Sequence, residues 1–308
     1  LRRKHCATDS AFAPSPGSVI RRRLALVAEA WRIFMICTIK PIADALAGTL
    51  RGLGHEPVAL LAPRRPEGDD PPPQLHLTAS SAPQGLDLLF VRDKHAIEPL
   101  VRAYEPDLLV CWGFPWKIPA SALDAPRLGS INHHPALLPR HRGPVPLAWA
   151  LRDGLGEWGS TWHYMDAELD TGNMLGQTTV PIEDDDVDIN DFGPRLIGAG
   201  LELLPRVLAR VAAGDPGDPQ PEEEASWAGH FEDDAYARID WSHPARAVHD
   251  QVRAWHLTFG LSGVRAPVAD LDGERVVVLQ TRLTDPGDGA RRVECGDGPL
   301  WVTSTEPA

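Results

Sequence analysis

The chain has 308 residues, of which 43% are hydrophobic and 24% charged, and its formal net charge is −13. This composition excludes collagen-like, coiled-coil and wholly disordered chains, and the length predicts about two domains. The acidic charge argues against DNA as a partner, and no apolar run approaches the roughly 18 residues of a membrane span. The four cysteines lack a zinc-type spacing, which favours a reducing cytoplasmic location and predicts no metal.

The first thirty residues carry no clear pattern of a folded element. They begin with Leu1 rather than Met and combine Arg-rich stretches with Ser and Pro. Their apolar part is shorter than a secretion signal needs and is interrupted by Glu29. We therefore expect residues 1–30 to be a disordered extension or the result of a mis-set start.

From residue 32 onward, buried strands alternate with helices. Short, nearly continuous apolar runs predict strands at 32–38, 57–61, 86–91, 107–113 and 128–132. Apolar residues three and four apart predict helices at 41–50 and 96–104, and a Pro-rich loop is predicted at 63–85. This alternation predicts an α/β protein with a Rossmann-like, open and mostly parallel sheet.

The second half of the chain has a different pattern. It predicts strands at 161–165 and 177–182, and then a long helix at 189–212 that Pro205 kinks or divides. The polar stretch 214–224 is typical of a linker, and a helix at 245–255 with several short strands follows it. We therefore predict an α/β domain at 31–213, a linker at 214–235 and a smaller OB-like β-barrel domain at 236–308.

The densest polar cluster, residues 130–143, follows a predicted buried strand. Ligands of open α/β sheets bind beyond the carboxyl ends of the strands. On an extended chain, Asn132 and His134 point to the same side, whereas His133 points away. An Asn-x-His pattern alone is more typical of turn chemistry, and His133, His134 and His141 lack the spacing of a zinc motif.

A longer pattern overrides the turn interpretation. Its members, at matched spacing, are Asn132-x-His134-x-x-Leu137-Leu138-Pro139-x-x-Arg142-Gly143, Pro146, Trp149 and Leu169-Asp170-Thr171-Gly172. This pattern resembles the folate-dependent formyltransferase family. Segments 237–242 and 296–300 resemble the C-terminal domain of the family's methionyl-tRNA formyltransferases, so the resemblance covers residues 32–308. Ala136, where the family often has Ser, and the turn at 37–40, which lacks Gly, depart from the family pattern.

The resemblance implies an enzyme of the formyltransferase fold that moves a formyl group from 10-formyltetrahydrofolate to a primary amine. It implies Asn132, His134 and Asp170 as catalytic residues. Asn132 would donate an amide N–H to the oxyanion, and His134 would act as a base or as a protonated electrostatic partner. Asp170 would orient and stabilise His134 or relay a proton through water.

The resemblance also implies a folate site with main-chain contacts to the pterin and an apolar lining. The implied folate-binding residues are Trp112, Gly113, Phe114, Trp116, Ile118, Pro119, Leu137, Leu138, Pro139, Arg142, Gly143, Asp166, Leu169 and Thr171. Trp112 and Trp116 are equally typical of core aromatics, and Arg142 is also suited to an anionic acceptor. No Gly-rich phosphate fingerprint follows the first strand, which argues against a nicotinamide dinucleotide.

The charge distribution suggests the kind of acceptor. In the loop at 63–71, two Arg are offset by three acidic residues, and lysines are few throughout the chain. Phosphate binding depends on clustered Lys and Arg. We therefore expect a small-molecule amine, such as an amino sugar or a hydroxylated amino acid. The alternative is initiator Met-tRNA, which the C-terminal resemblance favours; hydrolysis of formyltetrahydrofolate and an inactive folate-binding module are lesser alternatives.

Overall fold

A computed structural model describes residues 29–64, 83–186, 189–231, 235–258, 266–287 and 289–308. The extension predicted at 1–30 lies outside the described residues except for its last two positions. Most of the Pro-rich loop predicted at 63–85 lies outside them as well. Within the described ranges, no helix is long and apolar enough to cross a membrane.

Seven strands form the larger sheet: β1 Arg32–Cys37, β2 Glu56–Pro63, β3 Asp87–Val91, β4 Leu108–Trp112, β5 Ser130–His134, β6 Glu157–Tyr164 and β7 Met174–Pro181. Their order is β3-β2-β1-β4-β5-β6-β7. Neighbours from β3 to β5 run parallel, whereas β6 runs antiparallel to β5 and β7 antiparallel to β6. The predicted Rossmann-like, mostly parallel sheet is confirmed.

The helices are α1 Lys40–Gly52, α2 Ile97–Tyr104, α3 Ala120–Leu123, α4 Pro146–Arg152, α5 Ile189–Ala212 and α6 Ala245–His256. The long helix α5 has the predicted bounds, but the expected division at Pro205 is wrong. Pro205 is exposed, while Leu204 and Val207 on either side of it are buried in the core. Core packing on both sides of the proline holds the helix together although one backbone hydrogen bond is missing.

Helices cover both faces of the sheet, so its central strands are buried throughout. On β4, Val110 and Trp112 face the core layer that contains residues of α1 and α5. Leu109 and Cys111 face the opposite layer, which contains residues of α2 and α3. Because side chains alternate along a strand, this geometry also assigns each polar residue of β5 to one face.

A second, smaller sheet follows in the C-terminal part. Its strands are β8 Val268–Leu271, β9 Glu274–Arg282, β10 Arg291–Cys295 and β11 Gly298–Pro307. They pair antiparallel in the order β10-β11-β9-β8, and α6 packs against β9 and β11. The predicted smaller OB-like domain is confirmed; its described strands form a curled half-barrel.

An aromatic cluster joins this part to the larger sheet. Trp149 of α4, Phe231, Tyr236 and Trp255 of α6 make edge-on or stacked ring contacts with one another. The Arg152 guanidinium lies 4.7 Å from the ring centroids of both Trp149 and Tyr236. Cation–π contacts of this kind add to the apolar burial that holds α4 against α6.

Candidate active site

Three polar side chains meet at the carboxyl end of β5: Asn132 of β5, His163 of the antiparallel neighbour β6 and Asp170 of the loop after β6. Asn132 of β5 is paired in register with His163 of β6. The Asn132 Nδ2 lies 3.2 Å from His163 Nε2 and 3.3 Å from Asp170 Oδ1. His163 Nδ1 lies 2.6 Å from the Tyr164 carbonyl and therefore carries the ring proton, which leaves Nε2 as the acceptor. Asn132 thus donates to both neighbours.

His134 lies between a carbonyl and a carboxylate. Its Nε2 is 2.8 Å from the His141 carbonyl oxygen, so this nitrogen is the donor. Its Nδ1 faces Asp170 Oδ2 at 3.5 Å. Burial lowers the pKa of His134 below its ordinary value, although the Asp170 carboxylate acts in the opposite direction. His134 is therefore mainly neutral near pH 7, with Nδ1 as the nitrogen that can accept a proton.

Asp170 lies in the loop between β6 and β7, in the left-handed backbone region at φ 58°. Its Oδ2 accepts a 2.9 Å hydrogen bond from the Gly143 N–H. Burial acts to raise the pKa of Asp170, but the neighbouring His134 ring and the Gly143 N–H hold it well below its ordinary value. The site thus keeps a buried carboxylate ionised next to a neutral imidazole.

His133 and Trp112 lie on the other face of the sheet. Their rings stack with centroids 3.8 Å apart, and Trp162 packs edge-on against both. The Trp112 side chain is 4% exposed and belongs to the core layer of α1 and α5. The Trp112 indole therefore faces away from the crevice of Asn132, in agreement with a core aromatic, and the main-chain contact with folate expected for this segment stays a prediction.

The apolar side chains expected to line the folate site after β4 lie together on one core layer. Phe114 and Trp116 are half-buried, with ring centroids 5.5 Å apart, and pack on the same core layer as the buried Ile118. Gly113 turns the chain at φ 66°, and Pro119 immediately precedes α3. Partly accessible aromatic rings on the Asn132 side of the sheet fit the planar rings of a folate.

The two segments expected to bind folate lie next to each other. Lys117, in the segment after β4, donates to Glu168 in the loop before β7 at 3.0 Å. Within that loop, Asp166 Oδ1 accepts hydrogen bonds from Glu168 N at 3.0 Å and Thr171 Oγ1 at 2.6 Å. Leu169 remains 40% exposed beside them. Asp166 thus orders the loop that carries Leu169 and Thr171.

Residues of the loop after β5 differ in where they point. Leu138 and Pro139 are buried. Leu137 lines a cavity of about 260 Å³ together with Pro146 and Ala150 of α4. Neither Asn132, His134 nor Asp170 borders this cavity, so the Leu137 side chain lies on the α4 side of the loop.

The Arg142 side chain is directed toward the predicted linker. Its side chain is 8% exposed, its Nε donates to Gln220 Oε1 at 3.0 Å, and its Nη1 donates to the Glu222 carboxylate at 3.0 and 3.2 Å. These three bonds direct the guanidinium into the predicted linker. The Arg142 guanidinium thus fixes the loop after β5 to the predicted linker, and its contact with folate or an anionic acceptor stays a prediction; Gly143 lies in the site through its N–H.

Two residues of this network were not predicted from the sequence. His163 was assigned only to a strand, because its contact with Asn132 depends on the pairing of β5 with β6. Gln220 lies in a stretch with a linker composition, and nothing local marks it as a partner of the site. Within the described part of the chain, no group of three or more His, Cys, Asp or Glu could hold a metal ion.

Comparison with known proteins agrees with this geometry. Residues 84–208 match the family described as formyl transferase, and residues 233–308 match the formyl transferase C-terminal domain. The methionyl-tRNA formyltransferase of Pelobacter propionicus is 34% identical over 84% of this chain and 85% of that protein. The protein of the same name from Ruegeria pomeroyi is 33% identical over 87% of this chain and 88% of its own length.

These relatives contradict the expected class of acceptor. The charge pattern of the sequence predicted a small-molecule amine, whereas relatives between 30% and 36% identical carry the name methionyl-tRNA formyltransferase. The misleading signals were the balanced charge of the loop at 63–71 and the small number of lysines, because neither reports on basic patches elsewhere on the surface.

Solved structures share the fold at low identity. HypX from Aquifex aeolicus in complex with tetrahydrofolic acid is 20% identical with a TM-score of 0.63, over 90% of this chain and 44% of that one. A sugar N-formyltransferase from Shewanella is 21% identical with a TM-score of 0.59, over 83% and 98%. The chain therefore belongs to the formyl transferase family and is a formyl-transferring enzyme with formyltetrahydrofolate as its co-substrate.

Proposed function

We propose that this enzyme formylates the amino group of methionyl-tRNA, with 10-formyltetrahydrofolate as the formyl donor. The observation that carries the proposal is the similarity to methionyl-tRNA formyltransferases over both the larger sheet and the C-terminal part. The proposed boundaries are a catalytic domain at 31–213, a linker at 214–235 and a C-terminal domain at 236–308. The proposed location is the cytoplasm, where aminoacylated tRNA is available.

The reaction requires a group that removes a proton from the attacking amine. The folate co-substrate, when bound, supplies the formyl group. We assign proton removal to His134 because its neutral form is favoured by burial and its Nδ1 is free of a donor. Once His134 is protonated, Asp170 at 3.5 Å stabilises the imidazolium, which then returns the proton to N10 of tetrahydrofolate as the bond between N10 and the formyl carbon breaks. Of the two roles expected for His134, this assignment favours the general base over the protonated electrostatic partner.

The reaction also requires a donor for the negative charge that develops on the formyl oxygen. We assign this role to the Asn132 amide, whose N–H bonds to His163 and Asp170 are long, at 3.2 and 3.3 Å. Hydrogen bonds of this length are weaker than the usual 2.9–3.0 Å bonds, so exchanging one of them for an oxyanion costs little. His163 and Asp170 then serve to aim the amide.

Several arginines of the C-terminal part are paired with acids, which bears on how it would bind tRNA. Arg246 bonds to Asp184, and Arg291 bonds to Asp272. Phosphate contacts by these side chains would require an exchange of partners. We therefore expect few phosphate contacts and a shallower salt dependence than a strongly basic surface would give.

The test is formyl transfer from 10-formyltetrahydrofolate to charged initiator Met-tRNA, measured beside free methionine, an amino sugar and hydroxylated ornithine. We expect turnover on Met-tRNA that falls as salt rises and none on the small amines. Turnover on a small amine without transfer to Met-tRNA would refute the proposed acceptor. Formate release at the same rate with or without Met-tRNA would indicate a hydrolase instead.

A further inference from the structure

The segment predicted as a linker packs along the active-site loops. We refer to residues 215–231 as the linker strap. Its Ser226 carbonyl accepts the Arg142 N–H at 2.9 Å, and its Ala228 N–H donates to the Arg142 carbonyl at 2.6 Å. At its other end, Asp218 and Met174 exchange two main-chain hydrogen bonds of 2.8 Å. The strap is thus paired with the loop after β5 and with the start of β7.

Gln220 is the side chain of the strap that joins these two regions. Its Nε2 donates to the main-chain carbonyls of Asp170 at 2.9 Å and Gly172 at 2.7 Å. Its Oε1 accepts from Arg142 Nε at 3.0 Å. Both amide hydrogens and the amide oxygen are therefore used, and only the carboxamides of Gln and Asn offer two donors and an acceptor in one planar group.

The two regions held by Gln220 are those that supply the partners of His134. Asp170 provides the carboxylate at Nδ1, and the residue before Arg142, His141, provides the carbonyl at Nε2. Asp170 is also in a left-handed backbone conformation at φ 58°, which persists in a non-glycine residue only where surrounding bonds hold it. The two Gln220 N–H groups bond to the carbonyl of Asp170 itself and to that of Gly172, two positions later.

We infer that Gln220 is a positioning residue of the reaction, which acts by fixing the Asp170 loop against the His141–Arg142 segment. The inference rests on the proposed roles of His134 and Asp170 and extends them to the segment between the domains. Gln220 touches neither His134 nor the reacting groups, so its effect is transmitted through the main chain of Asp170. It follows that the strap is part of the catalytic apparatus and not a simple tether.

The first test is Gln220→Ala, assayed with 10-formyltetrahydrofolate and Met-tRNA. Misplacing a catalytic group by about 1 Å can cost about 100-fold, so we expect kcat to fall by about 10–100-fold with KM for folate little changed. The matched control is Glu223→Ala in the same strap, because Glu223 is exposed and makes no hydrogen bond or ion pair with the described residues. We expect its kcat to equal that of the unaltered enzyme.

The second test separates the two sides of the Gln220 amide. Gln220→Glu keeps an acceptor for Arg142 but replaces the two donors to the carbonyls of Asp170 and Gly172 with an oxygen. If the carbonyl bonds position Asp170, Gln220→Glu loses at least as much kcat as Gln220→Ala. Full activity of Gln220→Glu would mean that only the Arg142 contact matters and would overturn the inference.

The third test distinguishes a positioning role from general support of the fold. In an Asp170→Asn background, Gln220→Ala should lower kcat less than about twofold further, because its effect passes through the Asp170 carboxylate. If Gln220→Ala lowers kcat by the same factor in the Asp170→Asn background as in the unaltered enzyme, the inference is refuted. If His134 and Asp170 variants are inactive while Gln220→Ala is fully active, only this inference fails; if the His134 and Asp170 variants are fully active, the proposed site itself fails.

The acid limb of the kcat profile provides a further readout. The groups that face His134 are Asp170, His163 and His141, and only Asp170 is negatively charged. In Gln220→Ala the Asp170 carboxylate is no longer held beside His134, so protonation of His134 becomes less favourable. The acid limb, where kcat falls because His134 becomes protonated, should therefore move to lower pH. A reduced kcat with an unmoved limb would indicate a purely structural role and overturn the inference.

Discussion

The two faces of β5 carry neighbouring histidines in opposite environments. His134 lies between the Asp170 carboxylate and the His141 carbonyl, so both ring nitrogens have polar partners. His133 stacks on Trp112, bonds to Ser160 Oγ at 2.8 Å through Nε2, and has no partner for Nδ1 among the described residues. Burial lowers the pKa of both rings, and that of His133 further.

The difference shows what makes a buried histidine useful to an enzyme. A lowered pKa keeps either ring neutral, but only His134 has a carboxylate that stabilises the protonated state once a proton arrives. His133 is enclosed by aromatic rings and serves the packing between the sheet and α5. Substitutions on the Asn132 face should therefore lower activity, whereas those on the Trp112 face should lower stability.

Replacing His134 should abolish most of the activity. We expect His134→Gln, which preserves much of the side-chain volume, to lower kcat by about 10²–10⁴-fold because the base is lost. The measurement is single-turnover formyl transfer together with a thermal melt. His133→Gln is the matched control on the other face: its folded fraction should retain kcat while its melting temperature falls. Equal activity losses in both variants would contradict the division of the two faces.

Removing the Asn132 amide should have the next largest effect. Asn132→Ala loses the proposed oxyanion donor and one hydrogen bond to Asp170, so we expect kcat to fall by about 10²–10³-fold. Steady-state kinetics with varied folate and Met-tRNA will separate kcat from KM. A change confined to KM would show that Asn132 contributes to binding and not to the transition state.

Neutralising Asp170 should lower kcat by about 100-fold and shift the pH dependence. The Asp170 carboxylate raises the pKa of His134 against the effect of burial. If neutral His134 is the base, the acid limb of kcat lies below pH 6.5 in the unaltered enzyme, and Asp170→Asn moves it lower still. Asp107→Asn, at the amino end of β4, should leave the limb in place. A limb that moves upward in Asp170→Asn would show that the carboxylate does not act on His134.

The smallest effect on activity is expected on the core face. A Cβ atom at Gly200 of α5 would lie 2.5 Å from the Trp112 ring and 2.7 Å from His133 Nε2. Gly200→Ala should therefore destabilise the fold by about 1–3 kcal/mol, with kcat of the folded protein unchanged. Gly198→Ala, in the same helix with no atom within 4 Å of the new Cβ, should instead stabilise it by about 0.5–1 kcal/mol. Chemical denaturation of both variants tests the contrast.

Local sequence patterns predicted the strands of the larger sheet, the long helix α5 and the side to which each β5 residue points, but not the short helices α3 and α4. Buried runs such as Leu108–Trp112 are continuous because both faces of a central strand are covered, and alternation along the strand correctly separates Asn132 and His134 from His133. The motif around Asp170 was identified through resemblance, because an Asp-Thr-Gly turn has no distinctive local signature.

The remaining features depend on contacts between distant segments. Trp112 pairs in register with His133, which places both side chains on the same face, and this register is not readable from either strand alone. His163 meets Asn132 only because β6 returns antiparallel beside β5. The polar composition of the strap correctly indicated exposure and turns, but its pairing with Arg142 is a tertiary property.

The position of the linker strap also bears on how the enzyme can be divided and recombined. A fragment that ends at residue 213 would keep the seven-stranded sheet but lose Gln220, and with it the Ser226 hydroxyl that accepts the His141 N–H at 2.9 Å. Chimeras that exchange C-terminal domains between relatives should therefore be joined after Phe231, so that the strap stays with its own catalytic loops. A junction at the compositional boundary near residue 214 would combine loops and strap from different proteins.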